Sequence, residues 1–164
     1  ASVFSCARRT ISPETSIASY CSAGSVIFSS LYKRTPSRAV WAFDYDEKAG
    51  EIDLNSRRTV VDFTGFAPEE GGPDGMTVDA EGKLWVAQWG GCRVCRYDEI
   101  TGEKLMQVDV PAPCTTCPTF GGEKLDKLFI TTAGFGKEKF PEAGSLFVAD
   151  VGVCGRKANR FGRE

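Results

Sequence analysis

Tyr45-Asp46-Glu47-Lys48-Ala49-Gly50-Glu51 returns as Tyr97-Asp98-Glu99-Ile100-Thr101-Gly102-Glu103, 52 residues further along the chain. The same offset carries Val94-Cys95 onto Leu146-Phe147. Lys83-Leu84-Trp85-Val86 is echoed 44 residues later by Lys127-Leu128-Phe129-Ile130. Offsets near 50 residues, each spanning about four strands, are the spacing of β-propeller blades. A four-stranded blade cannot cover both of its faces alone, so it stacks on neighbours around an axis. About three such blades fit in 164 residues, whereas closed propellers have about four to eight. The chain is therefore predicted to be all-β and to expose blade faces and strand edges, through which it can associate with itself or with a partner.

The rest of the pattern agrees. No long stretch shows the 3.6-residue apolar period of an amphipathic helix. The 18 Gly and 8 Pro punctuate many short elements. Strands are expected at residues 39–46, 51–54, 59–63, 92–97, 103–110, 128–131 and 145–149. The central stretch is Pro73-Asp74-Gly75-Met76-Thr77-Val78-Asp79-Ala80-Glu81-Gly82-Lys83-Leu84-Trp85-Val86-Ala87. It reads as a turn, a short apolar strand, a second turn and a buried strand. Asp74 stands at the mouth of the first of these strands, between Pro and Gly. A carboxylate there can be a ligand or a base, or it can cap its own turn. Asp79 and Glu81 fall in the second turn and read as solvated turn residues.

Residues 1–36 differ from residues 37–164. They are Ser-rich, with Arg8, Arg9, Lys33 and Arg34 set against Glu14 alone. That composition fits an organelle transit peptide, or equally a variable strand pair with a strand over Ser25–Phe28. Residues 37–164 are expected to form the partial propeller. With no organelle import the protein is expected to be cytoplasmic.

Several classes of function are excluded or disfavoured. The chain has no His, so His-based triads and His metal ligands are ruled out, leaving Asp, Glu, Lys, Tyr or Cys as a general base. A net charge of −2 gives no basis for general nucleic-acid or anionic-membrane binding. No apolar run approaches the roughly 18 residues of a membrane span. The seven Cys are read as free thiols in a reducing compartment. Four of them form Cys92-x2-Cys95 and Cys114-x2-Cys117, a spacing close to that of a zinc ribbon. Two features oppose a zinc site. Residues i and i+3 of a strand point to opposite faces, and Arg93-Val94 replace the turn a zinc knuckle needs. Trp41, Trp85 and Trp89, with Phe43, Phe129 and Phe147, recur at strand positions and read as core. Lys137, Glu138, Lys139 and Glu142 lie in a loop that is solvated or, alternatively, a substrate lid.

Arg38-Ala39-Val40-Trp41-Ala42-Phe43-Asp44-Tyr45-Asp46, the Pro73 to Ala87 stretch, Gly90-Gly91, Cys117-Pro118-Thr119-Phe120-Gly121-Gly122 and Pro141-Glu142-Ala143-Gly144-Ser145-Leu146-Phe147 carry a family resemblance. Over roughly residues 36–152 the chain resembles the senescence marker protein, regucalcin and gluconolactonase family, in the C-terminal half of its fold. The resemblance implies a six-bladed propeller with one divalent metal (calcium, zinc, magnesium or manganese) at the channel mouth, hydrolysing sugar lactones such as gluconolactone. It implies that Asp74 is both a metal ligand and the base for the attacking water. The family's other two ligands, a Glu of the first blade and the Asn of an Asn-Gly motif, have no counterpart here, since Asn55 and Asn159 are the only Asn residues. The readings that follow are an incomplete lactonase, a non-catalytic half-propeller that binds partners, and a structural zinc module on Cys92, Cys95, Cys114 and Cys117.

Overall fold

The computed structural model describes residues 20–22, 25–29, 38–46 and 48–157, with side chains described from Arg38 onward. Most of the segment read as a possible transit peptide lies outside the described residues. The described chain forms eleven strands, β1 (Tyr20–Ser22), β2 (Ser25–Ser29), β3 (Ala39–Asp46), β4 (Glu51–Asp62), β5 (Gly72–Val78), β6 (Leu84–Trp89), β7 (Arg93–Tyr97), β8 (Lys104–Asp109), β9 (Thr115–Gly121), β10 (Lys127–Thr132) and β11 (Leu146–Asp150). The one described helical element is a 3₁₀ turn at Pro68–Glu70. No helix among the described residues is long and apolar enough to cross a membrane.

The strands make three antiparallel sheets in sequence order, β1-β2-β3-β4, β5-β6-β7-β8 and β9-β10-β11. The middle sheet is covered on both faces. Leu84, Val86, Cys95 and Tyr97 pack with Val40, Ala42, Val60, Val61 and Phe63 on the side of the first sheet. Trp85, Ala87 and Val94 pack with Leu128, Ile130, Ala143 and Val151 on the side of the third. This double burial explains why β6 is continuously apolar instead of alternating, and why Leu84 through Ala87 are all inaccessible to solvent.

The sequence repeat corresponds to two equivalent hairpin turns. Asp46 Oδ1 accepts the N–H groups of Lys48 and Ala49, and Asp98 Oδ1 accepts those of Ile100 and Thr101. Gly50 and Gly102 close the two turns at φ 70° and 71°, a region where a side chain is strained. The first turn joins β3 to β4 and the second joins β7 to β8.

Two expectations need correction. The strands expected at residues 51–54 and 59–63 are not separate: residues 51–62 form β4, a single strand with register shifts against β3, and Phe63 follows it. The Ser56 hydroxyl carries the chain through the irregular region, accepting from Asp44 N at 2.7 Å and donating to Asp53 O at 2.6 Å. Strand β9 was not anticipated, because Pro118 lies within it. Proline is tolerated there because β9 is an edge strand of its sheet.

Candidate functional site

Asp74 sits near the start of β5, in a bulge. Pro73 is opposite Gln88 and Met76 is opposite Val86, so Asp74 and Gly75 together face only Ala87. An extra residue on one strand bends it and re-aims a side chain. The bulge depends on Gly75. A Cβ at that position would lie 2.5 Å from Thr116 O and 2.8 Å from Cys117 Cβ, so the backbone of β5 touches that of β9 with no room for a side chain. The inner strand of the middle sheet is thereby locked to the inner edge of the third.

Asp74 is half-buried. Burial pushes its carboxyl up to about 6, against the lowering effect of the Gly75 backbone N–H. The Cys117 thiol is its neighbour across the sheet boundary. One side of Cys117 meets solvent, yet its surroundings are close enough that burial, and then the Asp74 carboxylate, raise its pKa. Thr116 and Thr131 share a 2.6 Å hydroxyl contact beside it, and Thr131 Oγ1 donates to Cys117 O at 3.2 Å. A carboxylate raised to this value is still mostly ionised at neutral pH and is a competent proton acceptor. The sequence reads Cys117 as a possible zinc ligand and as the first residue of a family-like segment, not as a neighbour of Asp74. Nothing local in the sequence brings it to Asp74, because the contact is made by the packing of β9 on β5.

The four cysteines do not form a metal centre. Among the described residues no three His, Cys, Asp or Glu side chains converge to hold a metal ion. Cys95 lies in the core between the first two sheets, its thiol 3.5 Å from Gln88 Oε1, and burial raises its pKa. Cys92 precedes β7 at φ 54°, Cys114 bridges to Trp89, and Cys117 lies beside Asp74. The ribbon-like spacing thus comes from strands of two different sheets. The same finding limits Asp74. One carboxylate with a thiol and two hydroxyls nearby does not make a divalent-cation site from the described residues alone.

Asp79 corrects a second expectation. It is not solvated but fully buried. Its carboxylate accepts from Trp85 Nε1 at 2.9 Å, Arg96 Nε at 2.8 Å, and the N–H groups of Glu81 and Lys83 at 2.9 Å each. Arg96 also reaches Glu81, which keeps its exposed turn position, at 2.6 Å. The group lies at the far end of β5 from Asp74, with Trp85 in the second core, and it is structural. Of the aromatic residues read as core, Trp85 is inaccessible, while Trp41, Trp89, Phe43, Phe129 and Phe147 are partly exposed. Lys137, Glu138, Lys139 and Glu142 are exposed in the connection from β10 to β11.

Residues 29–134 match the family model described as "SMP-30/Gluconolactonase/LRE-like region". The chain belongs to this family. It is 42% identical to human regucalcin over 125 residues, which cover 73% of this chain and 40% of the human protein. Among solved structures, a luciferin-regenerating enzyme superposes with a TM-score of 0.72 at 31% identity, covering 84% of this chain and 45% of its own. A structure described as a calcium-binding protein, regucalcin, from Agrobacterium tumefaciens gives 0.70 at 29% identity, covering 81% and 44%. The chain thus spans about two fifths of the length of the curated relatives it matches, and its all-β architecture is that of regucalcin- and gluconolactonase-type propellers.

Proposed function

We propose that this chain carries part of the catalytic mouth of a sugar-lactone hydrolase, with each of its sheets read as one blade and Asp74 as the base. The observation that carries the reading is the placement of Asp74, a half-buried carboxylate raised to about 6 and held by a glycine-dependent bulge at the start of an inner strand. Membership of a family whose description includes gluconolactonase supplies the substrate class. Asp74 takes a proton from water as its oxygen bonds to the lactone carbonyl carbon. The ring C–O bond then breaks, and that proton passes to the departing ring oxygen, leaving an open-chain hydroxy acid. Half-burial favours this role by keeping the carboxyl basic enough to accept a proton and ionised enough to be ready.

A divalent cation, as named for the Agrobacterium relative, is not accommodated by the described residues on their own, and Asp74 is the one expected ligand present. The remaining oxygen donors have to come from outside the described residues. Hydrolysis of glucono-1,5-lactone with calcium, magnesium, manganese or zinc added in turn, by wild type and Asp74→Ala, tests both points. Turnover that requires Asp74 supports the reading, and equal rates in the two proteins overturn it.

A second reading, association without catalysis, is favoured by the outer face of the third sheet. Leu146 and Val148 on edge strand β11 are 59% and 55% exposed, and Val148 lies opposite Phe129. An apolar strip on an unpaired edge strand is a surface for another copy of the chain.

A further inference from the structure

The 13-residue connection from β10 to β11, residues 133–145, is the longest among the described residues, and it is built rather than slack. At its neck, Thr132 Oγ1 donates to Ser145 O at 2.7 Å and accepts from Gly144 N at 3.1 Å. Gly144 sits against Gly134, where a Cβ would come within 3.2 Å of Gly134 Cα. Ala133 N donates to Cys114 O at 2.8 Å, tying the base of the loop to the start of β9. Inside the loop, Lys139 N and Phe140 N both donate to Gly136 O, Phe140 packs on the second core and Ala143 is buried. Against this order, Phe135 is 65% exposed. Its ring meets that of Trp89 edge-on, with centroids 5.9 Å apart at 64°.

Both rings lie at the Asp74 end of the sheets. Trp89 is the last residue of β6 and pairs with Gly72, two residues before Asp74. A rise of about 3.3 Å per residue and a strand separation of about 4.8 Å put its Cα on the order of 8 Å from that of Asp74. The loop leaves β10 at Thr132, which pairs with Thr115, next to the Thr116–Cys117 segment that touches Gly75.

We propose that Phe135, braced by Trp89, is a stacking platform that receives the ring face of the lactone beside Asp74. The proposal rests on the lactone-hydrolase reading for its substrate class. A saturated sugar ring has an apolar C–H face that suits an aromatic surface. An ordered loop that holds a large apolar side chain in solvent, with no core to fill, is the arrangement of a recognition loop.

Wild type, Phe135→Ala and Phe135→Tyr are compared with glucono-1,5-lactone as substrate, and calorimetric titration with gluconate reads binding without turnover. Phe135→Ala is expected to raise KM and the gluconate Kd about 3- to 10-fold with kcat unchanged, and Phe135→Tyr to restore both. Unfolding curves should coincide, since the side chain is exposed. An unchanged KM and gluconate Kd in Phe135→Ala overturns the platform while leaving hydrolysis intact. Gluconate binding weakened by Phe135→Ala without turnover in wild type supports the platform and removes the hydrolase reading. A wild-type protein that neither turns over the lactone nor binds gluconate overturns both.

Discussion

At the scale of the residue, two aspartates at opposite ends of one strand have opposite fates. Asp74 and Asp79 are five positions apart, yet the first is half-buried beside a thiol and the second is sealed among four donors. Removing one partner of a buried ion pair leaves the other charged and unsatisfied, at a cost of about 3–5 kcal/mol. Asp79→Ala should therefore lower the unfolding free energy by about that amount in urea titration, because it removes the buried partner of Arg96, leaving that side chain only the exposed Glu81, and leaves the Trp85 indole N–H without its acceptor. A loss below about 1 kcal/mol would contradict the buried network. The position of Asp74 near the start of a strand was legible in the sequence, because Pro-Asp-Gly is local turn chemistry followed by a short apolar run. The role of Asp79 was not, because its main partner, Arg96, is 17 residues away on β7 and nothing in a turn-like Asp-Ala-Glu-Gly announces it.

At the scale of the element, the two repeated turns show how far local chemistry reaches. Each Asp caps its own turn and each Gly closes it, and both features could be read directly from the repeat. The second turn is also charged. The Lys83 ammonium, then the Thr101 and Ile100 N–H groups, hold the Asp98 carboxyl well below the usual carboxylate range. A carboxyl depressed in the folded state contributes stability above its unfolded pKa of about 3.9 and loses it as pH falls through the folded value. Asp98→Asn should consequently flatten the acid limb of a stability-versus-pH curve below about pH 4. Wild type and variant with parallel acid limbs would show that the Lys83 contact carries no linkage. The extents of β4 and the existence of β9 were not legible, because they depend on pairing partners. A Ser56-bridged irregularity joins what read as two strands, and an edge position admits a proline that composition alone assigns to a loop. The Cys spacing resembles a zinc ribbon, but the strand geometry of Cys92 and Cys95 already spoke against one, and the two pairs belong to different sheets.

At the scale of the whole molecule, three stacked sheets bury the middle one on both faces and leave the outer face of the third partly apolar. If that face joins copies of the chain, Leu146→Lys with Val148→Lys should abolish concentration-dependent sedimentation without altering the unfolding midpoint. Unchanged association would place the contact elsewhere. Stacking was legible from the repeat length, because a four-stranded unit with continuous apolar strands has to be covered twice. The locking of β5 onto β9 at Gly75, which holds Asp74 beside Cys117, became visible only when the sheets were assembled. Whether this carboxylate accepts the proton of the attacking water is read most directly from the rate of glucono-1,5-lactone opening by wild type and Asp74→Asn, above the spontaneous rate. Asparagine keeps the shape but cannot take a proton, so the rate should fall by at least about 100-fold. Asp74→Asn that opens the lactone as fast as wild type would contradict that role.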